Sequence, residues 1–305
     1  MLSKIFRFDE AKYYRFGIML GFKNLLHGGL RLGLSKTAGK VLQPINSYTR
    51  FPEYWFVGCE VEHFLQSGAN QRLKILDVGS PKCFGLYLAF HFEVEIHLSD
   101  IDGPSVREAE IMWNAVKRSA KGDGHFSTQD ARSLKYPKDT FDVVYSMSVI
   151  EHVEGESGDS ESMREMLRVL KPGGLLVVTV PIGSEYVEQD RLGFRGAARN
   201  TGDQQRYFFQ RIYAPPSAEE RIVKVDQRAR LTKAITVGRK NGTIIALHRH
   251  LGAKPQALFG CFNPILSAAL NRDKEGIVPV MGHYGALHNG GDIYGDLMLS
   301  FRKAA

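Results

Sequence analysis

The stretch that decides the fold is Leu73-Lys74-Ile75-Leu76-Asp77-Val78, which runs directly into Gly79 and Ser80. It is a short apolar run that carries an acid near its end and stops at a glycine, a pattern typical of a buried parallel strand. Downstream, similar short runs alternate with longer segments of helical character. This alternation predicts βαβ units, a parallel sheet, and helices on both of its faces.

The same patterns predict the other elements. Strands are expected at residues 94–99, 125–129, 141–146, 175–180, 243–248 and, as a closing strand of alternating apolar residues, 296–302. Helices are expected at residues 86–92, at 104–120 after Pro104, and at 160–170 with Ser160 as the cap. Residues 1–70 are predicted to be mainly helical, with breaks near Gly28-Gly29, Pro44 and Pro52. Residues 183–240 are polar and rich in arginine. We interpret them as a lid whose arginines are packed or solvated, in preference to a set of arginines that binds an anionic group of the acceptor.

The net charge of +7 lies in the first fifty residues, where nine Lys or Arg face only Asp9 and Glu10. This placement argues against a general nucleic-acid binder, and it leaves open a solvated helical face or an anionic partner such as a membrane surface. The three cysteines are far apart and form no CxxC pair, which favours a reducing compartment. The residue pattern leads us to expect no signal peptide and no apolar span of about 20 residues. A cytoplasmic protein is expected, with peripheral membrane contact through the basic N-terminus as an open alternative.

Suggestive residues follow each strand of the predicted core. In an open parallel sheet a ligand binds at the carboxyl ends of the strands. Asp77 and Gly79-Ser80 lie at the end of the first strand, and Asp100 lies at the end of the second. Asp130-Ala131 follows the third strand, and Ser146 ends the fourth. Asp100 lies about 20 residues beyond the first turn, where a carboxylate is placed to accept ribose hydroxyls. The nearby Asp102 is close enough to Pro104 to cap the next helix.

These residues carry a resemblance to a known family. The motifs are Leu76–Ser80, Ser99–Ile101, Asp130-Ala131 followed by Lys135–Val144, and Leu167–Gly174. In order and spacing they resemble the successive motifs of class I S-adenosylmethionine (SAM)-dependent methyltransferases, and most of all the broad ubiquinone and menaquinone group. The resemblance covers residues 71–182 and the closing strand.

The resemblance implies a Rossmann-like, doubly wound α/β fold with a mostly parallel seven-stranded sheet. It would comprise an N-terminal helical cap at residues 1–70, a SAM-binding core at 71–182, and an acceptor-lid segment with closing strands at 183–305. SAM would be the cofactor.

The resemblance also implies residue roles. Asp77, Gly79 and Ser80 would line the methionine half of SAM, and Ser146 would lie beside the transferred methyl group. Asp100 would contact the ribose. Ile101, Asp130 and Ala131 would contact the adenine. The family's glycine-rich turn commonly has glycines where this chain has Pro81 and Cys83, and Gly85 would partly compensate. Lys82 is predicted to be a surface residue more than a contact to the SAM carboxylate. Glu151-His152 matches a pair in some metal-dependent quinone-ring O-methyltransferases, but Ser148 replaces the earlier Glu, so no metal is predicted.

The predicted reaction is methyl transfer to a small-molecule, lipid or saccharide acceptor, at oxygen. His152 is the candidate general base, because imidazole accepts a proton near neutral pH. A structural hydrogen bond of His152 is the competing interpretation. Three alternatives stay open: an RNA methyltransferase, suggested by the sequence pI near 9.2; a dinucleotide oxidoreductase; and a non-catalytic scaffold that keeps the fold, suggested by the altered turn.

Overall fold

The strands of the protein form a mostly parallel sheet and a smaller antiparallel sheet. The computed structural model describes residues 11–32, 51–67, 72–192, 198–201, 204–239, 277–280 and 294–304. Its strands are β1 (Lys74–Val78), β2 (Glu95–Asp100), β3 (Asp123–Thr128), β4 (Phe141–Met147), β5 (Leu170–Ile182), β6 (Val187–Leu192), β7 (Ala198–Thr201), β8 (Gln204–Ile212), β9 (Ala229–Arg239), β10 (Ile277–Val280) and β11 (Tyr294–Lys303). Its α-helices are α1 (Ala11–Leu32), α2 (Phe51–Ser67), α3 (Lys82–His91), α4 (Gly103–Asn114), α5 (Gly158–Val169) and the short α6 (Pro215–Ala218).

The strand order β10-β9-β11-β5-β4-β1-β2-β3 defines a doubly wound fold. The chain starts at the central β1, winds outward to β3, and then winds in the other direction from β4 to β5. Strand β2 is parallel to β3 and β4 is parallel to β5, whereas β11 is antiparallel to both β5 and β9. The predicted Rossmann-like class is confirmed. The sheet has eight strands instead of seven, because β9 and β10 extend it beyond the closing strand β11.

The central strands form the apolar core. Ile75 and Leu76 of β1, Val143 and Val144 of β4, and Val177 of β5 have no exposed surface. Continuous apolar runs of this kind are required where both faces of a strand are covered. The predictions of buried strands at these positions are therefore confirmed, and the closing strand is also present as β11.

The chain divides by its internal contacts into two compact units. In the first, which includes α1, α2, α3 and β2, aromatic rings provide much of the packing. Tyr13 and Phe16 of α1, Tyr54 of α2, and Phe84 and Tyr87 of α3 are all buried. Tyr87 meets Tyr13 and Phe16 edge-on, with ring centroids 4.6 and 5.6 Å apart. Such pairs add about 0.5–1.5 kcal/mol to the burial of the rings themselves.

One polar group is embedded in this aromatic cluster. Glu62 of α2 accepts a hydrogen bond of 2.8 Å from the Tyr13 hydroxyl and lies 2.6 Å from the Lys12 ammonium. Burial of the Tyr13 ring, with the Glu62 charge beside its hydroxyl, raises the tyrosine pKa. Tyr13 therefore stays a neutral donor, which satisfies the carboxylate at the edge of the apolar cluster.

In the second unit, β6, β8 and β7 form a separate antiparallel sheet in that order. Strand β8 is central and pairs with both neighbours, for example Glu188 with Arg211 and Asn200 with Gln205. The sequence predicted weak regularity in this arginine-rich region, so these strands are a finding of the structure. Polar side chains occur on both faces of these strands. The alternation of apolar and polar residues by which a strand is recognised in a sequence is therefore missing.

One predicted helix break is wrong, and the helix boundary predicted around Pro52 is present. Helix α1 continues through Gly28-Gly29, because a glycine inside a helix costs only about 1 kcal/mol and does not by itself end it. Pro52 lies in the first turn of α2, where its missing amide hydrogen would have no intrahelical partner in any case. Pro44 and the strand predicted at 243–248 lie outside the described residues.

Helix α5 also begins earlier than predicted. Its first residue is Gly158, and Ser157 occupies the N-cap position. Ser160 therefore lies inside the helix, and its hydroxyl donates to the Arg221 carbonyl oxygen over 2.9 Å. The helix predicted at 104–120 ends at Asn114. The three segment boundaries predicted for the whole chain remain a prediction.

The longest described helix, α1, has 22 residues and carries charged side chains such as Lys12 and Arg15 within its sequence. Among the residues that the structure describes, no helix is both long and apolar enough to cross a bilayer.

Candidate cofactor and acceptor site

The turn after β1 requires glycine at residue 79. Gly79 has a φ of +71°, and a Cβ atom there would lie 2.6 Å from a methyl carbon of Val149. A φ in this left-handed region is unfavourable for other residues, and the Val149 contact leaves no room for a side chain. Glycine therefore allows the turn to pack closely against Val149, and a contact of Gly79 with the cofactor remains a prediction.

Two serines fix this turn to the end of β4. The Ser80 hydroxyl oxygen accepts from the Met147 amide over 2.9 Å, and the Ser146 hydroxyl donates to the Val78 carbonyl oxygen over 3.0 Å. Both side chains are buried. The structure therefore shows a positioning function for Ser80 and Ser146, and a contact of either with the cofactor remains a prediction.

The end of β4 carries a second constrained residue. Ser148 has a φ of +49°, and its amide donates to both the carbonyl and hydroxyl oxygens of Thr179 at 3.0 Å. A non-glycine residue in this region costs about 1–3 kcal/mol and persists only where its surroundings enforce it. The conformation of the segment that leads to His152 is thus set by β5.

In the first unit, the end of β2 presents a held carboxylate. Asp100 is the last residue of the strand, its side chain is 19% exposed, and its Oδ1 accepts from the Asp102 amide over 3.0 Å. Ile101 follows with 68% of its surface exposed. Asp102 accepts from the Ser105 amide at the start of α4, which confirms its predicted role as a helix cap.

Lys82 is buried, so its prediction as a surface residue is wrong. Its side chain is 7% exposed and its ammonium lies 3.2 Å from Asp100 Oδ2 and 3.6 Å from Asp77 Oδ1. It also donates to the Ser99 carbonyl oxygen over 2.8 Å. Asp77 is completely buried, and a buried carboxylate requires a nearby positive charge. The burial of Lys82 has a signal in the sequence. Lys82 begins the helix α3 that connects β1 to β2, and each of these strands carries an acid at or next to its end.

Asp130, which follows β3, is paired with an arginine that the sequence analysis missed. The Arg132 guanidinium lies 2.7 Å from Asp130 Oδ2, and the Arg132 amide donates to Oδ1 over 2.9 Å. These hydrogen bonds lower the pKa of Asp130. The carboxylate is therefore ionised near neutral pH and can accept hydrogen bonds. Ala131 lies in the turn between the two residues.

The candidate base, His152, has a defined orientation. It ends a short 3₁₀ turn, Ile150–His152, and its Nδ1 lies 2.6 Å from the Phe209 carbonyl oxygen. A carbonyl oxygen can only accept, so Nδ1 carries the hydrogen and Nε2 carries the lone pair of the neutral ring. The Glu151 carboxylate, which is 2% exposed, lies 3.7 Å from Nε2. A positive charge on the ring would be stabilised by this neighbour.

A buried group of charges lies beside the His152 segment. At its centre, the fully buried Asp159 is 2.7 Å from the Arg221 guanidinium and accepts from the Tyr213 hydroxyl over 2.8 Å. The Arg211 Nε lies 3.8 Å from the same carboxylate, and the Arg211 side chain is 1% exposed. Burial, with the Asp159 charge nearby, raises the pKa of Tyr213, while the hydrogen bond with Asp159 raises that of Arg221. We call these four residues the Asp159 cluster.

The Asp159 cluster holds the backbone that follows His152. Arg211 donates to the carbonyl oxygens of Val153, over 2.6 Å, and of Gly155. Arg221 donates to the Glu156 carbonyl oxygen over 2.5 Å. Arg211 and Arg221 are thus packed against protein groups, in agreement with the interpretation of this region as a packed lid more than an anion clamp.

The predicted site residues fall into groups. Asp77 and Asp100 share Lys82 in the first unit, whereas Gly79, Ser80 and Ser146 meet in the second. Gly85 is a buried residue in the first turns of α3 and lies outside the turn that it was expected to complete.

The chain is similar in sequence to known methyltransferases. Residues 76–178 match the family described as a methyltransferase domain. The chain is 29% identical over 175 residues to the ubiquinone/menaquinone biosynthesis C-methyltransferase UbiE of Ectopseudomonas mendocina, a match that covers 53% of this chain and 63% of the relative. It is 31% identical over 107 residues to phosphoethanolamine N-methyltransferase 3 of Arabidopsis thaliana, covering 35% of this chain and 20% of the relative.

Other similarities are weaker or shorter. A tRNA (carboxymethyluridine(34)-5-O)-methyltransferase of Arabidopsis thaliana is 28% identical over 48% of this chain and 36% of its own. A solved SAM-dependent methyltransferase of Methanosarcina mazei superimposes with a TM-score of 0.48 at 14% identity, over 79% of this chain and 97% of that one. The chain spans less than two thirds of the length of the curated relatives it matches.

The fold and the matched motifs define a class I SAM-dependent methyltransferase domain, and SAM is the cofactor of this domain. Within that class, the chain is similar to the ubiquinone and menaquinone methyltransferases, among others. For this domain, the resemblance stated from the sequence, the enzyme class and the cofactor are thereby confirmed.

The described residues suit this cofactor. Gly79 gives the turn after β1 a left-handed backbone conformation that other residues rarely adopt, as a tight turn around a ligand requires. The partly exposed carboxylate of Asp100 is an acceptor for hydroxyl groups. Beside it, the exposed Ile101 offers apolar surface for a flat ring. These are the chemical requirements of amino-acid, ribose and adenine groups.

Proposed function

We propose that this protein transfers the methyl group of SAM to an oxygen atom of a small-molecule, lipid or saccharide acceptor. The observation that supports an oxygen acceptor is the orientation of His152, whose Nδ1 is held by the Phe209 carbonyl oxygen at 2.6 Å. The lone pair on Nε2 suits removal of a proton from a hydroxyl group. Curated relatives are named as C-, N- and O-methyltransferases. The proposal that the acceptor atom is oxygen is therefore based on this local geometry alone.

The proposed cofactor contacts follow the ends of the strands. The Asp100 carboxylate would accept from the ribose hydroxyls, with Ile101 against the adenine ring. The remaining proposed contacts are Asp77, Gly79, Ser80, Gly85 and Ser146 for the methionine half, and Asp130 and Ala131 for the adenine edge. The ionised state of Asp130 supports a role as acceptor from an amino group.

The protein's own part in the reaction is to align the acceptor and to move one proton. When bound, SAM supplies an electrophilic methyl group on its sulfonium. His152 would take the acceptor's hydroxyl proton at Nε2, and Glu151 would stabilise the resulting imidazolium from 3.7 Å. The Phe209 carbonyl oxygen keeps the ring oriented throughout. Orientation of the reactants alone supplies several kcal/mol, up to about 7–11.

The cofactor contact is tested by calorimetric titration with SAM and with its demethylated product. Asp100→Asn removes the carboxylate charge and should weaken SAM binding by about 10- to 100-fold, since a hydrogen bond to a charged group contributes roughly 1.5–3 kcal/mol. Asp102→Asn is the matched control, because asparagine also caps a helix well. Equal losses in the two variants would contradict the assignment. A folded wild-type protein that binds no SAM would favour the scaffold alternative.

The oxygen acceptor is tested with isotopically labelled SAM and a panel of lipid, saccharide and small-molecule hydroxyl compounds. The labelled product should carry its methyl group on oxygen, as mass spectrometry and NMR will show. His152→Gln should lower kcat by about 10²- to 10⁴-fold and remove the activity loss at low pH that titration of the base produces. His63→Asn, on an exposed face of α2, should leave both unchanged. A product methylated at nitrogen or carbon, or a labelled RNA, would overturn the proposal.

A further inference from the structure

A second group of potential ligands lies on β2 and β3, apart from the residues assigned to SAM. Glu95 and His97 are two positions apart on β2, so their side chains lie on the same face of the sheet. His125 of β3 is the register partner of His97. The topology therefore places two imidazoles and one carboxylate on a single patch, which we call the β2–β3 histidine patch.

The distances within this patch suit a metal ion. Glu95 Oε1 lies 2.9 Å from His97 Nε2 and 4.0 Å from His125 Nε2, and the three candidate ligand atoms all lie within 4.8 Å of one another. A tetrahedral zinc ion with bonds of about 2.0–2.1 Å separates its ligands by about 3.4 Å. The two measured distances lie on either side of that value, so small rotations of the side chains suffice.

We propose that Glu95, His97 and His125 form a binding site for a divalent transition-metal ion, with Zn²⁺ as the best fit. Two imidazole nitrogens and one carboxylate oxygen are ligands that suit Zn²⁺ and its neighbours better than they suit Mg²⁺ or Ca²⁺. Three protein ligands leave the fourth tetrahedral position to water. The side chain of His125 is 52% exposed and that of His97 18% exposed, so an ion can enter from solvent.

The two histidine rings lie side by side on paired strands. They stack with centroids 4.6 Å apart and planes inclined by 22°. Because the lone pair of an imidazole nitrogen lies in the plane of its ring, the rings must turn about their side-chain bonds before both can point at one ion. Their backbones are fixed by the parallel pairing of β2 and β3, so binding requires a change of side-chain torsions and no ordering of the backbone.

Lys74 of β1 opposes metal binding at this patch. Its ammonium lies 3.3 Å from Glu95 Oε1, the oxygen that also contacts His97. A divalent ion would compete with this ammonium for the carboxylate and would be repelled by its charge. The Lys74 side chain is 45% exposed, so it can move into solvent. Its removal should strengthen binding, a change that a structural role of the histidines alone would not produce.

The proposed site departs from the prediction of a metal-free protein. That prediction concerned Ser148, at the end of β4, whereas the patch uses β2 and β3. A bound ion would cross-link β3, the strand at the edge of the sheet, to its neighbour β2. Its expected effect is thermal stabilisation that depends on ion concentration.

The test is titration of the untagged, full-length protein with ZnCl₂, followed by calorimetry, and with Co²⁺, followed by its visible absorption. We expect one ion per chain, and a Co²⁺ spectrum of four-coordinate intensity. His97→Asn and His125→Asn should each weaken binding by more than the roughly 10- to 100-fold that loss of an outer-shell partner costs. Lys74→Gln should strengthen it, and His63→Asn should leave it unchanged.

Folding and SAM binding of each variant, measured by circular dichroism and calorimetry, separate loss of the site from loss of structure. A six-coordinate Co²⁺ spectrum, unchanged affinity in His125→Asn, or equal weakening in His63→Asn would overturn the proposal. So would an unchanged affinity in Lys74→Gln, since the carboxylate would then not be a ligand. None of these readouts depends on the methyl acceptor.

Discussion

The two units of the molecule are stabilised by different chemistry. In the first, Tyr13, Phe84 and Tyr87 pack ring against ring, and the polar contact at Glu62 lies at the margin of the cluster. In the second, the Asp159 cluster places a buried carboxylate among two guanidinium groups and a phenol. Aromatic packing is weakly directional, whereas the hydrogen bonds from Arg221 and Tyr213 to Asp159 each join one donor to one acceptor.

The difference bears on the candidate base. The aromatic cluster joins helices, and many arrangements of rings would bury a similar area. The Asp159 cluster instead directs guanidinium groups to the carbonyl oxygens of Val153, Gly155 and Glu156. These carbonyls lie in the irregular segment between the 3₁₀ turn that ends at His152 and helix α5. The buried charges of the Asp159 cluster therefore fix the backbone conformation of the segment after His152. Apolar packing alone would allow this segment more conformations.

The largest effect is expected when the centre of the Asp159 cluster is neutralised. Asp159→Asn keeps the side-chain size but removes the buried charge that accepts from Arg221 and Tyr213, which should cost about 3–5 kcal/mol of unfolding free energy. Urea denaturation measures this cost. In the same variant kcat should fall while SAM affinity is kept, because the His152 segment loses its anchors.

An exposed ion pair provides the control for that variant. Asp123 is 62% exposed and is paired with Arg72, so Asp123→Asn should change the unfolding free energy by less than about 1 kcal/mol. A similar loss in both variants would show that the second unit does not depend on buried charge as we describe.

A smaller effect is expected at the polar margin of the aromatic cluster. Tyr13→Phe removes the hydroxyl that donates to Glu62 and keeps the ring, so unfolding should become easier by about 1.5 kcal/mol. Activity should be unchanged, because no loop of the site is held by this contact. A drop in kcat comparable to that of Asp159→Asn would remove the functional distinction between the two units.

The smallest effect is expected for a half-buried ion pair and depends on pH. The hydrogen bond from Arg168 to Glu165, and a second from the Leu134 amide, lower the pKa of Glu165. A lowered carboxyl pKa stabilises the fold above the usual value of 4.5, and this contribution is lost as the pH falls through the folded-state pKa.

Glu165→Gln should therefore reduce the unfolding free energy by about 1 kcal/mol at neutral pH. The difference from wild type should shrink as the pH falls below 4.5 and disappear once Glu165 is protonated in the folded state. Urea midpoints at several pH values measure this convergence. A difference that stays constant with pH would mean that the ionised form of Glu165 contributes no stability.

The sequence predicted the elements whose signals are local. The β1 strand is a continuous apolar run, and Asp102 caps α4 from two positions before Pro104, so both were found. Lys82 was misjudged because its burial depends on Asp77 and Asp100, which come from two other elements. The strands of residues 183–240 were missed for the same reason. Arg211, for example, is stabilised by partners more than 50 residues away in the chain.

Strand β8 joins two functions that an engineer would wish to separate. The Phe209 carbonyl oxygen, which orients His152, and the Arg211 side chain, which holds the segment after it, lie two residues apart on this strand. A one-residue slip in its pairing would turn Arg211 to the opposite face. A chimera that takes the β6–β8 sheet from a relative would therefore change two things at once. It would replace the surface of this sheet, and it would alter the orientation of His152. Successful recombinants should be those whose junctions preserve the Glu188–Arg211 register.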